Sequence, residues 1–154
     1  MILEYSKICP HTKTPERANP SDAGLDVYFC PTDSQEPHRR IAPGESKLLP
    51  TGLKFGVPHG YMLEVKNRSG NAAKKSLLVG ACIIDSGYEG EVFVNLHNIG
   101  QEPQIITPEM KIAQIVMTPV IHFRPLEVEE SRIYSYPITI SDRGDGALGS
   151  TDVT

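Results

Sequence analysis

A carboxylate and an aromatic ring lie three residues apart near the middle of the chain, as Asp85 and Tyr88. The carboxylate ends an apolar run, and a partly desolvated carboxylate at a strand end can act as a general base toward water. A tyrosine on the following tight turn can press its ring against a flat or sugar-like ligand. Such residues, with Gly87 between them, are also common in hairpin turns that have no chemical role. Taken alone, the segment favours an ordinary turn, so other segments must decide.

Two further segments carry groups that suit an anion. Arg68, Ser69 and Gly70 end a strand-like run and open a short helical one, where free N–H groups, an arginine and a hydroxyl can bind anions. The alternative for Ser69 is a helix cap. Gln114 is a polar residue in the apolar run after Pro108, and its alternative is an outward-facing glutamine.

The end of the chain is rich in glycine and hydroxyl side chains. Arg143 is followed by a glycine-rich run that ends in Ser150 and Thr151, and such a run can wrap phosphates through backbone N–H groups. It lacks the Gly-Lys-Ser/Thr ending of a P-loop, and no helical pattern follows it. Residues 141–154 have no apolar face, so we expect a flexible tail, for which simple disorder is the alternative reading.

The elements that must position these groups are mostly strands. Apolar and polar residues alternate in residues 60–66 and 90–97, and residues 111–117 form a third strand-like run. Short segments of this kind, separated by turn residues, predict an all-β sandwich or barrel. One short helix is expected at 71–76, and residues 11–22 are expected to form a loop. The length of 154 residues predicts a single domain over residues 1–154.

Composition and charge exclude several classes of protein. The net charge of −4 and the absence of a basic stripe argue against a nucleic-acid partner. No apolar stretch approaches the length of a membrane helix, and the N-terminus lacks the pattern of a secretory signal. We therefore expect a cytoplasmic protein, or a nuclear one if its host has a nucleus.

The cysteines and histidines are scattered along the chain. Cys9, Cys30 and Cys82 form no close pair in the sequence, which argues against a disulfide framework or a zinc knuckle. No two of the five histidines have ligand spacing for a transition metal. The spacing alone thus predicts no transition-metal site.

Together and in this order, five segments resemble the motifs of the homotrimeric dUTP pyrophosphatases (dUTPases). They are residues 23–27, 68–70, 79–90, 111–114 and 143–151. The resemblance implies a β jelly-roll fold, a homotrimer with shared active sites, and Mg²⁺-dependent hydrolysis of dUTP to dUMP and pyrophosphate. Mg²⁺ would be held mainly by the substrate phosphates, with Asp26 reaching it through water.

The resemblance also implies a role for each site residue. Asp85 would be the general base that activates water for attack on the α-phosphorus, and Tyr88 would pack under deoxyribose and exclude a 2′-hydroxyl. Arg143 would neutralise the triphosphate. The uracil would be read by the backbone of Gly80, Ala81, Cys82, Ile83 and Ile84. The phosphates would be bound by Arg68, Ser69, Gly70 and Gln114, and covered by Gly149, Ser150 and Thr151.

Three positions depart from the family pattern. Leu148 stands where an aromatic residue stacks on the base, which predicts weaker closure of the tail but not loss of activity. Glu109 stands where the fourth motif has glycine, which leaves the shape of that turn open. Cys82 is expected to pack as a small apolar group.

Two other functions are compatible with the same scaffold. The first alternative is a dCTP deaminase, which shares the fold and acts on the base. The second is a non-catalytic nucleotide sensor, although a pure binder needs no water-orienting carboxylate such as Asp85.

Overall fold

The computed structural model describes residues 1–33, 35–135 and 144–146. Contacts divide the chain into two units, Met1–His122 and Phe123–Thr154. In the described part of the second unit, the regular element is a short 3-10 helix at Glu130–Arg132. Within the described residues, no helix is long and apolar enough to cross a membrane.

The first unit is built from antiparallel strands. They are β1 (Glu4–Lys7), β2 (Leu25–Tyr28), β3 (Arg39–Ile41), β4 (Ser46–Pro50), β5 (Leu53–Gly56), β6 (Tyr61–Lys66), β7 (Leu77–Val79), β8 (Ile83–Ile84), β9 (Phe93–Asn98), β10 (Gln104–Ile106) and β11 (Lys111–Pro119). One α-helix, α1 (Ser69–Lys75), lies between β6 and β7. The largest sheet has the order β2-β11-β6-β8, and a second has the order β4-β9-β7; the pairs β1-β5 and β10-β3 complete the set.

One apolar core joins the two larger sheets. Leu63 and Val65 of β6 belong to the same buried cluster as Val94 and Leu96 of β9. Each pair is spaced by two residues, so the alternation read from the sequence marks the buried face of each strand. Side chains from two sheets that meet in one core make a β-sandwich of the jelly-roll type, which confirms the predicted fold class.

The helix and the irregular first loop also agree with the sequence patterns. Helix α1 covers most of the predicted 71–76 run and begins two residues earlier, at Ser69. It ends at Lys75, and the C-cap residue Ser76 has a left-handed backbone with φ 53°. Asn71 anchors the helix to the sheet, because its side-chain N–H donates to the carbonyl of Lys111 at 3.1 Å. Residues 11–22 contain no strand and only one isolated bridge, between Glu16 and Asp26.

The cysteines are less scattered in space than in sequence. The Sγ atoms of Cys9 and Cys30 lie 3.8 Å apart, and Nε2 of His11 lies 3.3 Å from the Sγ of Cys9. Burial raises the pKa of the Cys30 thiol. The sequence spacing did not reveal this group, because folding joins residues that are 21 positions apart.

Candidate active site

Asp26, Arg68, Lys111 and Gln114 form one group of polar side chains, here called the Arg68 cluster. Oδ1 of Asp26 accepts from Nε of Arg68 at 2.9 Å, and its Oδ2 lies 2.8 Å from Nζ of Lys111. Asp26 is buried, with 8% of its surface exposed, whereas about a third of each cationic side chain is exposed. The cluster contains two positive charges and one negative charge, so it presents a net positive charge to solvent.

A β-bulge brings both residues of β11 to the same face. Lys111 and Gln114 are three positions apart, so a regular strand would point them to opposite faces. The register of β11 against β2 shifts between Lys111 and Ala113, which inserts one extra residue into β11. Both side chains therefore point to the same face. Lys111 consequently lies opposite Tyr28, and Gln114 lies opposite Asp26. Sequence reasoning assigned no role to Lys111, although a cation at the start of a buried strand was a usable signal.

Gln114 is held in place from two sides. Its Nε2 donates to the carbonyl of Asn67 at 2.9 Å, and the side chain of Asn67 in turn accepts from the N–H of Val79 at 2.7 Å. A Cβ atom at Gly24 would lie 2.6 Å from Oε1 of Gln114, so only glycine leaves room for this conformation. Gln114 is therefore a half-buried group of the cluster and not an outward-facing one.

Ser69 does not cap the helix. The N-cap residue of α1 is Arg68, Ser69 is the first helical residue, and no side chain makes a cap hydrogen bond. The cap alternative for Ser69 is thus wrong, and its hydroxyl has no partner among the described residues. A cleft of about 480 Å³ is lined by Arg68, Ser69, Gly70 and Gln114 together with Asp26 and Gly24. The predicted phosphate-binding residues therefore meet in one place.

Asp85 and Tyr88 bound a tight turn after β8. The N–H of Tyr88 donates to the carbonyl of Asp85 at 3.2 Å, and Gly87 has φ +88°, as a type II turn requires at that position. The hydroxyl of Ser86 donates to the carbonyl of Val57 at 3.0 Å and fixes the turn to the body of the unit. The turn chemistry seen in the sequence is therefore real, and it also positions the two side chains.

The ring of Tyr88 is fixed against a glycine. Its hydroxyl donates to the carbonyl of Glu91 at 2.8 Å. A Cβ atom at Gly90 would lie 2.4 Å from that hydroxyl and 2.6 Å from the ring carbon that carries it. Any larger residue at Gly90 would displace the ring. Tyr88 is nevertheless 46% exposed, so its ring remains available to a ligand.

A second cleft lies beside this turn, here called the hairpin cleft. It has a volume of about 260 Å³ and is lined by Leu48, Ile83, Ile84, Asp85, Tyr88, Glu91, Val92 and Phe93. Asp85 is exposed in the single chain, and within residues 1–33, 35–135 and 144–146 its carboxylate has neither a hydrogen bond nor an ion pair. The hairpin cleft is therefore mainly apolar, with an unengaged carboxylate at its edge.

The backbone of residues 80–84, which is expected to bind uracil, is only partly engaged in hydrogen bonds. The N–H of Gly80 donates to the carbonyl of Asn95 at 2.9 Å, and the carbonyl of Cys82 accepts from the N–H of Val65 at 2.7 Å. The N–H groups of Ala81 and Cys82 have no partner in the described part of the chain. Cys82 is exposed, so the expectation that it packs as a small apolar group is wrong.

Asp85 and Arg68 lie toward opposite ends of β6 on one chain. In β6, Leu63 and Glu64 pair with Ile84 and Ile83 of β8, and the strand then continues toward Arg68. Asp85 thus lies opposite the start of β6, about six residues from Arg68, which corresponds to roughly 20 Å at the usual rise of a strand. The tail residues Arg143, Leu148, Gly149, Ser150 and Thr151 lie outside the described residues.

The turn before β11 has a left-handed residue, Glu109, that is not glycine. Glu109 has φ +67°, and the N–H of Met110 donates to the carbonyl of Thr107 at 3.1 Å. The N–H of Glu109 also donates to the carbonyl of Phe29 at 2.9 Å. A left-handed conformation costs a non-glycine residue about 1–2 kcal/mol, so the surrounding hydrogen bonds must hold this turn.

Comparison with known proteins shows the family to which the chain belongs. The sequence model of the dUTPase family matches residues 11–151. A deoxyuridine 5′-triphosphate nucleotidohydrolase of Chlamydia pneumoniae is 38% identical over 139 residues, which is 89% of each chain. The protein of that name from Clostridium acetobutylicum is 38% identical over 151 residues, covering 97% of this chain and 95% of its own.

A solved structure gives the same fold. A mutant dUTPase of Staphylococcus bacteriophage 80alpha with dUpNHpp has a TM-score of 0.83, with 99% of each chain covered. Its sequence identity of 23% makes this a likeness of fold. The family match covers most of the chain, and the relatives align over nearly its whole length. The chain therefore belongs to the dUTPase family.

Proposed function

We propose that this protein hydrolyses dUTP to dUMP and pyrophosphate, with water attacking the α-phosphorus. The observation that carries the proposal is the unengaged carboxylate of Asp85, at the edge of an apolar cleft and next to a fixed tyrosine ring. Asp85 would accept a proton from the attacking water and hydrogen-bond the sugar 3′-hydroxyl. Because this substrate belongs to the nucleotide pool, we place the protein in the cytoplasm, or in the nucleus where the host has one.

The nucleoside would be selected in the hairpin cleft. Tyr88 is fixed over Gly90, so its ring cannot retreat from a ribose 2′-hydroxyl. A steric clash of this kind rejects UTP without any added attraction for dUTP. The free N–H groups of Ala81 and Cys82 are donors for a uracil carbonyl, whereas cytosine would leave buried polar groups unpaired. Gly80, Ile83 and Ile84 would shape the wall beside the base.

The triphosphate would be bound by the Arg68 cluster. Nε of Arg68 is engaged by Asp26, and its two terminal nitrogens have no partner among the described residues. Guanidinium groups bind phosphate oxygens in pairs, and the Ser69 hydroxyl, Gly70 and Gln114 line the same cleft. Positioning and charge neutralisation of this kind supply most of the catalysis in phosphoryl transfer.

Magnesium fits this site as an ion carried mainly by the substrate. Mg²⁺ prefers oxygen ligands and retains several waters. Asp26 offers two oxygens, but Arg68 and Lys111 already engage both, so a contact through water suits it better than direct ligation. When bound, the ion would neutralise phosphate charge. Asp26, Arg68 and Lys111 would orient the phosphates around it.

The active site would be shared between subunits of a homotrimer. Arg68 and Asp85 are roughly 20 Å apart along the sheet of one chain, so one nucleotide would reach both only if they came from different chains. Leu48, Ile83 and Phe93 are large apolar residues that remain exposed at the hairpin cleft. A neighbouring subunit would cover them. Arg143, Gly149, Ser150 and Thr151 would close over the phosphates, and Leu148 over the base.

The test is an assay with Mg²⁺ that follows both pyrophosphate and ammonia. Pyrophosphate from dUTP alone is the expected result. Ammonia from dCTP would indicate a deaminase, and neither product would indicate a nucleotide-binding protein without catalysis. Asp85→Asn is expected to reduce pyrophosphate release by at least about 100-fold, since general-base catalysis contributes that much or more, while nucleotide binding persists. Near-normal turnover by this variant would refute the assigned role of Asp85.

A further inference from the structure

Three side chains that could ligate a metal meet at the turn that follows β1. They are Cys9, His11 and Cys30, and one ligand atom of each lies within 4.8 Å of the other two. The Sγ atoms are 3.8 Å apart, and Nε2 of His11 is 3.3 Å from Sγ of Cys9. None of the three belongs to the Arg68 cluster or the hairpin cleft. The group is therefore separate from the proposed active site.

These separations match the edges of a zinc tetrahedron. With Zn–S bonds of about 2.3 Å and Zn–N bonds of about 2.0 Å, tetrahedral ligands lie about 3.8 Å (S···S) and about 3.5 Å (S···N) apart. Two of the three edges thus match a zinc tetrahedron to within a few tenths of an ångström, and the third, from His11 to Sγ of Cys30, lies within 4.8 Å. We propose that Cys9, His11 and Cys30 bind one Zn²⁺ ion, with solvent as the fourth ligand.

The backbone holds the ligands in this arrangement. Pro10 lies in a turn closed by the N–H of Thr12, which donates to the carbonyl of Cys9 at 3.1 Å. The N–H of Ile8 donates to Gly52, and the N–H of Cys30 donates to Pro50. Both ligand-bearing segments are therefore fixed to the same β4–β5 connection. Binding would need little additional ordering of the chain, which favours affinity.

A buried hydroxyl supports the two thiolates. Oγ1 of Thr12 lies 3.1 Å from Sγ of Cys9 and 3.6 Å from Sγ of Cys30, and Thr12 is 3% exposed. A hydroxyl donor beside a ligating sulfur orients the ligand and tunes the ion. A Cβ atom at Gly52 would lie 2.3 Å from that hydroxyl, so glycine is required to seat Thr12.

The fourth position faces a cleft. His11 and Cys30 line a cleft of about 400 Å³ with Lys13, Phe29 and Glu109, from which water can reach the ion. The proposed ion would join the segment after β1 to the end of β2, and two thiolates would neutralise its charge. Its expected role is structural, because an ion that binds only the folded chain stabilises the fold.

Cobalt provides the direct test. The purified full chain, kept reduced with a phosphine, is titrated with Co²⁺ and then with Zn²⁺. We expect one equivalent of Co²⁺ to bind with thiolate-to-cobalt charge-transfer absorption, and Zn²⁺ to displace it. Cys9→Ser and His11→Gln should weaken binding at least about 100-fold, since even partners of metal ligands cost 10- to 100-fold when removed. Cys82→Ser is the matched control and should bind like the parent.

Thermal unfolding provides a second readout. Zn²⁺ is expected to raise the Tm of the parent chain and of Cys82→Ser, but not of Cys9→Ser or His11→Gln. Cys9 and His11 are the better test positions because Cys30 is buried and its replacement could prevent folding. The proposal is overturned if three free thiols are counted and Co²⁺ still gives no charge-transfer band, or if Cys9→Ser binds as tightly as the parent.

Discussion

At the scale of single residues, Asp26 organises the charge of the Arg68 cluster. Its two oxygens hold Arg68 and Lys111 at 2.9 and 2.8 Å. Both cations are only partly exposed, so without Asp26 two neighbouring positive charges would lose their shared partner. The sequence suggested a water-mediated metal contact for Asp26; its observed contacts show that it also positions Arg68 and Lys111.

We expect Asp26→Asn to weaken both the fold and the binding of dUTP. Loss of the carboxylate leaves two close cations unpaired, which should lower the free energy of unfolding by about 1–2 kcal/mol after allowance for their solvent exposure. The KM for dUTP should rise more than kcat falls, because Arg68 loses its fixed orientation. Urea unfolding and steady-state kinetics measure the two effects.

The control is Asp22→Asn, which alters a carboxylate of the same cleft without an ion pair. Both measured quantities should stay close to those of the parent chain. Equal effects in the two variants would mean that the overall charge of the cleft matters, and not the two contacts of Asp26.

Tyr28 predicts a pH dependence of stability at high pH. Burial and the hydrogen bond that its hydroxyl donates to Glu16 raise the pKa of Tyr28 from 10.0 to about 12. The folded state therefore retains the phenol proton where the unfolded state loses it, so stability falls as the pH rises from 10 toward 12. Tyrosine absorbance should show a late titration step, and Tyr28→Phe should remove that step and flatten the fall.

At the scale of elements, the sequence patterns predicted those strands and helices whose formation depends on residues close together in the chain. The apolar alternation of residues 60–66 and the helix formers near Asn71 produced β6 and α1 with small differences in their ends. The bulge in β11 was not predictable in this way, because it depends on how β11 pairs with β2. That one irregularity decides which face Lys111 occupies, and so which residues share the Arg68 cluster.

The turn after β8 predicts how selectivity for deoxyribose can be lost. In Gly90→Ala, the new methyl group would lie 2.4 Å from the hydroxyl of Tyr88, so the ring must move. We expect the ratio of kcat/KM for dUTP to that for UTP to fall at least about tenfold, because the ring of Tyr88 would no longer be held where it excludes a 2′-hydroxyl. Parallel kinetics with both nucleotides measure this ratio.

Gly56→Ala is the matched control for this substitution. Its new Cβ would meet only ordinary van der Waals contacts, at 3.7 Å and beyond, and its φ lies outside the left-handed region. Selectivity should be unchanged in this variant. If Gly90→Ala also retains the selectivity of the parent, Tyr88 does not exclude ribose by steric contact.

At the scale of the whole molecule, the sequence predicted residues for both parts of the site but not the distance between them. Arg68 and Asp85 are 17 positions apart in the chain, and nothing in that spacing shows that they lie toward opposite ends of β6. Cys9 and Cys30 show the reverse case, because they are distant in sequence and adjacent in space. In both cases the register of strand pairing sets the distance, and register follows from the packing of the whole sheet.

The separation of the two halves leads to a prediction about mixed oligomers. Arg68→Ala and Asp85→Asn are each expected to be nearly inactive. If every site takes Arg68 from one chain and Asp85 from another, co-refolding the two variants in equal amounts restores about a quarter of the parental activity, because half of the chains supply each intact residue in a random closed ring. Each variant refolded alone is the control and should stay inactive. Pyrophosphate release measures the recovery. A mixture that remains inactive although chains are shown to exchange would mean that both residues act from the same chain, and the shared-site proposal would then be wrong.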